Sequence, residues 1–399
     1  MGHTGNGVEP MSSRESDTRF RGDAGHPVTA SGATPHRSRG RRTSFIALVI
    51  AYFLVAAASF NGFYVKEGFQ DDSRFISAGK IMDGSAIRPF VFRRLDAEIA
   101  NFAALHVPDR LKQAIRDRYV HNGKSAIGPD AALAGSPTYF IAYNVLFYLV
   151  FAQFLASLFV LRGIFGKFVS PLAASITPAL WALLMPVIQA RSAGLFYDYA
   201  ELLFLSSAVL AAIEGRTVVL VILTILGTYN KETFLVFIPA LLPFLLPALG
   251  KARATITACL CMAISAGLYL LVNRTYAANA GFDADPNWLA ALRFYPNPLN
   301  LLLFDKAYGL YLPRIWGIFW LAAGATIVSA TWARADRRLR QHLLIAAVIN
   351  LPLLVLFGAP GELRNLSLCF VGVAGLLAYA VDGWVRDTPD TRPVEEAQG

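Results

Sequence analysis

Charge is scarce in this chain. Only 16% of its 399 residues are Asp, Glu, Lys or Arg, against 55% hydrophobic, and the mean hydropathy is +0.47. That is too little polar surface to coat a soluble globule of this length, so the chain reads as an integral membrane protein. The three cysteines, Cys259, Cys261 and Cys369, all lie inside apolar runs, so no disulfide framework or Cys/His metal cluster is legible. There is no internal repeat and no Gly-rich phosphate loop. Alternating apolar patterning is missing too, which excludes a β-barrel and leaves helices. The net charge of +9 comes with no nucleic-acid recognition motif. Arg37, Arg39, Arg41 and Arg42 precede the first apolar run, and Arg334, Arg337, Arg338 and Arg340 fill a short late loop. Both sets read as topology determinants and contacts for anionic lipid, with no nucleic-acid partner.

What is present is a series of apolar runs. Phe45–Val65 is long enough to cross a hydrocarbon core of about 30 Å. Further runs cover 138–161, 169–189, 196–213, 217–230, 233–249, 254–272, 310–332, 343–358 and 366–383. The fold class is therefore all-α, a polytopic bundle of about ten transmembrane helices. The run 217–230 is short for a full crossing. It forms either a separate span or, with 233–249, one re-entrant unit. Lys and Arg in the short loops (Arg162, Lys167, Arg216, Lys251, Arg253, the Arg334–Arg340 cluster and Arg386) place both termini in the cytoplasm. Residues 1–43 read as a disordered basic cytoplasmic tail, 44–383 as the transmembrane domain, and 384–399 as a second cytoplasmic tail. The first external loop, 66–137, shows apolar residues at helical spacing over Ser73–Asp83 and Pro89–Leu105. Such helices can lie at the interface with Phe92, Leu95, Ile99 and Phe102 facing the membrane. Pro108–Tyr119 reads as a more polar helix, and Pro286–Leu303 as a surface helix broken at Pro296 and Pro298.

In this topology five charged groups fall on the external side: Asp71/Asp72, Arg88/Arg93/Arg94, Asp198/Glu201, Lys231/Glu232 and Glu362/Arg364. Charges at span ends need a partner or a task. Asp71 and Asp72 are either a solvated loop start or a general base for an attacking hydroxyl, kept ionised by Arg74 or by the Arg88–Arg94 group. The arginines either anchor a helix to lipid phosphate or hold a phosphate leaving group through their forked guanidinium. Asp198 and Glu201 share a helix face, where they either cap the helix or, with Tyr197 and Tyr199, contact sugar hydroxyls. Lys231/Glu232 and Glu362/Arg364 are either ion pairs between helices or ligand contacts. The expectation is that these groups line one outward-opening cavity.

At these residues the chain resembles the GT-C superfamily of polytopic glycosyltransferases. Asp71-Asp72-Ser73-Arg74-Phe75, running on to Lys80-Ile81-Met82-Asp83-Gly84, is similar to the acidic-pair motif of aminoarabinose and mannosyl transferases. Arg88-Pro89-Phe90-Val91-Phe92-Arg93-Arg94-Leu95 resembles a motif of bacterial members. Tyr197-Asp198, Asn230-Lys231-Glu232-Thr233 and Gly361-Glu362-Leu363-Arg364 stand where such members carry further polar signatures. The resemblance implies an inverting sugar transfer from a polyprenyl-phosphate donor at the periplasmic face of a bacterial inner membrane. Asp71 or Asp72 would be the base, and the remaining groups would bind substrate and phosphate. Only a short segment follows the last span, which favours a lipid or cell-envelope glycan acceptor over a protein. A divalent metal remains open. The rival readings are a transporter or flippase of a lipid-linked or polar substrate, and a non-enzymatic assembly subunit.

Overall fold

The computed structural model describes residues 36–71, 73–121, 136–189, 195–281 and 288–387. Among these residues 78% are helix and 3% strand. The chain divides into two units, Met1–Phe45 and Ile46–Gly399, and the second carries everything that positions the site. In chain order the helices are α1 (His36–Glu67), α2 (Ala78–Asp83), α3 (Leu95–Leu105), α4 (Asp109–His121), α5 (Pro137–Phe165), α6 (Pro171–Ile188), α7 (Tyr197–Ile213), α8 (Thr217–Asn230), α9 (Phe234–Leu249), α10 (Lys251–Thr275), α11 (Trp288–Phe294), α12 (Ile318–Thr331), α13 (Arg337–Phe357) and α14 (Leu363–Asp387). A short antiparallel hairpin, β1 (Phe304–Ala307) and β2 (Leu310–Pro313), stands before α12.

Local chemistry sets the helix starts. Ser136 and Ser170 each accept a hydrogen bond from the N–H three residues on, with Pro137 and Pro171 at the first helical position. There proline's missing N–H has no bond to lose. In α9, prolines 239, 243 and 247 recur every fourth residue, each removing an intrahelical hydrogen bond. The helix tightens into a 3-10 turn at Ile238–Leu241 as a result.

Six helices are long and apolar enough to cross a membrane: the Ser44–Lys66 part of α1, with α5, α6, α10, α13 and α14. Helices α8, α9 and α12 are apolar but shorter, at 10–17 residues. Helix α7 has 17 residues and carries Asp198 and Glu201. Residues 217–249 form two helices, and they meet closely. A side chain on Gly227 would collide with the Phe234 ring, so glycine is required where α8 turns back into α9.

Several sequence boundaries need correction. The basic tail expected over 1–43 is helical from His36, and residues 1–35 lie outside the described residues. The last helix runs to Asp387, past the expected start of the second tail at 384, and 388–399 lie outside. The run 310–332 is not one span: Leu310–Pro313 is a strand, and helix begins at Ile318, after Pro313 and Gly317. Helix over Ser73–Asp83 starts only at Ala78. The Ser73 hydroxyl takes the N–H groups of Phe75 and Ile76 into a turn, and Ser77 then caps α2. The Pro89–Leu105 segment splits into a 3-10 turn at Phe90–Phe92 and α3. Of the residues expected to face the membrane, Ile99 and Phe102 on α3 are exposed, whereas Phe92 and Leu95 are buried. The buried face of α3 carries Ala97, Ala100 and Ala104, small enough to let it pack closely on α5, with Asp96 accepting from Gln153 Nε2 at 2.7 Å. Helix α4 appears where Pro108–Tyr119 was expected. Pro286–Leu303 is broken as expected into α11 and a 3-10 turn, Pro298–Leu302, capped by the Asn297 side chain.

An aromatic core joins α1, α5 and α7. Phe60 packs edge-on against Phe147 and Tyr199 at 5.0 and 5.6 Å, and Phe154 stands 4.6 Å from Tyr199. Phe69, just past α1, extends this cluster to Tyr143 and Phe196.

Candidate functional site

Four distant parts of the sequence converge on one buried ion network. Arg93, from the loop before α3, grips Glu232 with two nitrogens, Nε to Oε2 at 3.2 Å and Nη2 to Oε1 at 2.7 Å. It also donates to the Tyr197 hydroxyl, and its guanidinium lies 4.5 Å from that ring. Lys231 Nζ reaches Asp198 Oδ1 at 3.1 Å and Glu201 Oε2 at 2.7 Å. Arg364 donates to Asp198 Oδ2 at 2.9 Å and to Glu362 Oε1 at 2.7 Å. The remaining acceptors are filled by neutral donors. Thr233 and Ser367 hydroxyls bond Glu201 Oε1, each at 2.8 Å, and the Leu195 N–H bonds Asp198. The Ala359 N–H and Asn365 amide bond Glu362. Asn230 donates to the Tyr197 carbonyl, while its Oδ1 is buried with no partner in the structure.

Helix ends explain why these side chains meet. Tyr197, Asp198 and Glu201 open α7, Lys231 and Glu232 form the turn between α8 and α9, and Glu362 and Arg364 join α13 to α14. Burial disfavours charge on Arg93, Lys231, Glu232 and Glu362, but the partners more than restore it. Glu201 and Asp198 raise Lys231, and Glu232 raises Arg93. Arg93 holds Glu232 below the usual carboxylate range, and Arg364 does the same for Glu362. These four groups are therefore held in their charged forms by partners within the network, and neutral donors fill the remaining carboxylate acceptors.

Asp71 stands apart from it. Helix α1 ends at Gly68, whose left-handed backbone (φ +58°) folds the chain so that the Asp71 carboxylate lies where a Cβ on residue 68 would sit. Asp71 Oδ2 accepts from the Tyr143 hydroxyl at 2.6 Å and from the Phe69 N–H at 3.2 Å. Tyr143 in turn shares a 2.9 Å hydrogen bond with Tyr64. Between Asp71 and the network lie Phe69 and Phe196, 5.9 Å apart, with Phe196 5.4 Å from Tyr197. Asp72 lies outside the described residues.

The arginines divide. Arg93 is committed to Glu232. Arg94 bonds the Ile81 and Met82 carbonyls and Glu98, closing the loop onto α3. Arg74 is exposed. Arg88 is half-buried, makes no ion pair among the described residues, and has an Nε that is buried with no acceptor. Its guanidinium lies 3.3 Å from where a Cβ on Gly281 would project, so glycine there leaves it room. The expectation of a single cavity lined by the five charged groups needs correction: Arg93, Asp198, Glu201, Lys231, Glu232, Glu362 and Arg364 gather in the network with Tyr197 and Asn230, whereas Asp71, Arg88 and Arg94 do not.

A cavity of about 550 Å³ is lined among others by Ser77, Lys80, Asp83, Asn101, Thr138 and Tyr139, and Asp71 is not one of its lining residues. Tyr139 bridges the two places, its ring 6.2 Å from that of Tyr143. Its size lies within the range of about 300–1,000 Å³ taken by ligand pockets. Among the described residues no three His, Cys, Asp or Glu side chains gather to hold a metal ion.

Sequence reading missed Tyr143, Tyr139 and Ser367, and quoted Thr233 only as the end of the Asn230–Thr233 motif. The two tyrosines are four residues apart at the start of α5, a spacing that puts them on one helix face beside any neighbour of that end. Ser367 carried no signal, since a hydroxyl in an apolar run usually bonds its own helix. No protein-family model, curated protein or solved structure matches this chain.

Proposed function

We propose that the chain is a membrane glycosyltransferase of the GT-C type. It moves a sugar from a polyprenyl-phosphate donor to a lipid or cell-envelope glycan acceptor at the periplasmic face of a bacterial inner membrane. The shorter helices α7, α8, α9 and α12 complete about ten crossings in this reading, with both termini cytoplasmic. Asp71 is the base: an acceptor hydroxyl attacks the anomeric carbon, its proton passes to the carboxylate, and the polyprenyl phosphate leaves with inversion. Arg88 is the cation for the departing phosphate, in preference to Arg93 and Arg94, whose nitrogens are engaged. The observation that carries this reading is the Asp71 carboxylate, held by the Tyr143 hydroxyl just past the end of the first apolar helix.

The test is sugar transfer from a polyprenyl-phosphate donor by purified protein in nanodiscs. Asp71→Asn keeps the shape and removes the base, so turnover should fall by about 10²–10⁴-fold with thermal stability retained. Asp72→Asn is measured beside it, and wild-type turnover in both variants would remove the base assignment. Movement of an intact lipid-linked substrate across liposomes, with no glycosyl bond broken, would replace transfer by transport.

A further inference from the structure

The hairpin of β1 and β2 has two unlike faces. Pairing Phe304 with Pro313, Asp305 with Leu312, Lys306 with Tyr311 and Ala307 with Leu310 puts Phe304, Lys306, Tyr311 and Pro313 on one face and Asp305, Ala307, Leu310 and Leu312 on the other. Apart from Leu310 at the turn, which is 64% exposed, the second face is docked: Ala307 is buried, and Asp305 pairs with Lys66 in the last turn of α1 at 3.1 Å. On the first face Phe304 is 57% and Tyr311 76% exposed, and Lys306 between them is exposed with no ion pair among the described residues.

The depth of the turn fixes what those residues meet. Tyr308 and Gly309, both at positive φ, make the tight two-residue turn. The Tyr308 hydroxyl donates to the Leu183 carbonyl of α6 at 3.0 Å, and its ring lies 3.2 Å from where a Cβ on Gly62 of α1 would project. Each of these positions lies five residues before its helix ends, about 7 Å below the helix terminus at 1.5 Å per residue. Both helices are long and apolar enough to span a bilayer. The hairpin thus descends beside them instead of standing clear in water. Its open backbone edges cannot enter the hydrocarbon, which stops it at the headgroup boundary.

We propose that this hairpin is an interfacial anchor whose partner is the anionic phospholipid of the leaflet around α1 and α6. Phe304 and Tyr311 enter the boundary between headgroups and acyl chains, as aromatic belts do, and Lys306 reaches up to a lipid phosphate. The anchor is independent of any sugar-transfer chemistry.

A spin label at position 311, placed by Tyr311→Cys after replacement of Cys259, Cys261 and Cys369, tests it in nanodiscs of phosphatidylglycerol or phosphatidylcholine. Labels at Leu271 on α10, 63% exposed, and at exposed Arg110 on α4 give the lipid and water references. The label at 311 should show oxygen accessibility close to that at 271 and nickel-chelate accessibility well below that at 110. Phosphatidylglycerol should draw it deeper than phosphatidylcholine, and Lys306→Glu should abolish that difference. Nickel accessibility equal to that at 110 overturns the anchor. Dipolar broadening between labels on separate chains assigns the face to a second copy. A depth indifferent to lipid charge overturns the anionic partner.

Discussion

The two sets of charges at this end of the bundle are built to opposite rules. In the network, Arg93, Lys231 and Arg364 face Asp198, Glu201, Glu232 and Glu362, and each charge is bonded by others in the set. In the segment from Phe69 to Arg88, Asp71 accepts from the Tyr143 hydroxyl and the Phe69 N–H, and Arg88 makes no ion pair and has an Nε with no acceptor among the described residues. Saturated buried charges hold elements together and have no capacity left for a ligand. In the proposed reading chemistry therefore belongs to the second set and architecture to the first, although both look alike as sequence.

The sharpest way to break this contrast is to remove one member of the network. Lys231→Met leaves Asp198 and Glu201 buried without their shared cation, and loss of one partner from a buried pair costs about 3–5 kcal/mol. Thermal unfolding in nanodiscs should drop accordingly. A Lys231→Met protein as stable as wild type would mean that the network is not structural. Asp71→Asn should unfold near the wild-type temperature.

Acidity separates the regions further. Burial pushes the Asp96 carboxyl up from 3.8 to about 7, against the Gln153 hydrogen bond that favours the charge. Both Asp96 Oδ2 and Gln153 Oε1 are buried without partners, and a proton on Asp96 supplies a donor that this pair lacks. The folded protein holds that proton more tightly than the unfolded chain does. The stability it contributes is whole below the unfolded value and is lost as pH rises through 7, at up to about 1.4 kcal/mol per pH unit. Glu232 and Glu362 run the other way: their carboxyls are lowered, so their contribution is present above the unfolded value and lost as pH falls through the folded one. Asp96→Asn should flatten the fall in unfolding temperature between pH 3.8 and about 7 and leave intact the loss at lower pH that Glu232 and Glu362 cause. A slope unchanged by that substitution would show that Asp96 is ionised.

Sequence patterning recovered the apolar helices because hydrophobic runs are local, and 217–230 matches α8 from end to end. It also singled out the charges at the ends of apolar runs, because charge there is costly wherever it stands. Nine of the residues it named, Tyr197 and Asn230 among them, meet in the buried network. What it could not separate was Arg88 from Arg93. That difference rests on Glu232, 139 residues further along the chain from Arg93. The Ser77 cap and the Ser73 turn also decided where α2 starts, against an apolar period that extended five residues further back.

A smaller effect sharpens the reading of Glu201. Its Oε1 takes two hydroxyls, from Thr233 and Ser367. Thr233→Val removes one donor at nearly constant volume and should cost about 1.5–3 kcal/mol, as hydrogen bonds to charged groups do. Adding Ser367→Ala should cost more than the sum of the single changes, since Glu201 then keeps only Lys231. Strict additivity in that double-mutant cycle would show that the two hydroxyls act independently.

The smallest change in stability is expected at Arg88, and there the comparison is most direct. Arg88→Lys keeps a cation where no partner was fixed, so the unfolding temperature should move by no more than about 0.5 kcal/mol allows. Arg93→Lys keeps a cation too, but a single ammonium cannot reproduce the two parallel bonds to Glu232 together with the Tyr197 contact, so that protein should be clearly less stable. For transfer the consequence differs in kind. Arg88→Lys should raise the apparent KM for the phosphate-linked donor, because the forked contact with phosphate is lost while the fold is kept. Arg93→Lys should lower the amount of active protein with the KM of the surviving fraction unchanged. If the two variants exchanged these behaviours, with Arg93→Lys altering donor KM and Arg88→Lys unfolding the protein, the division between binding loop and structural network would be reversed.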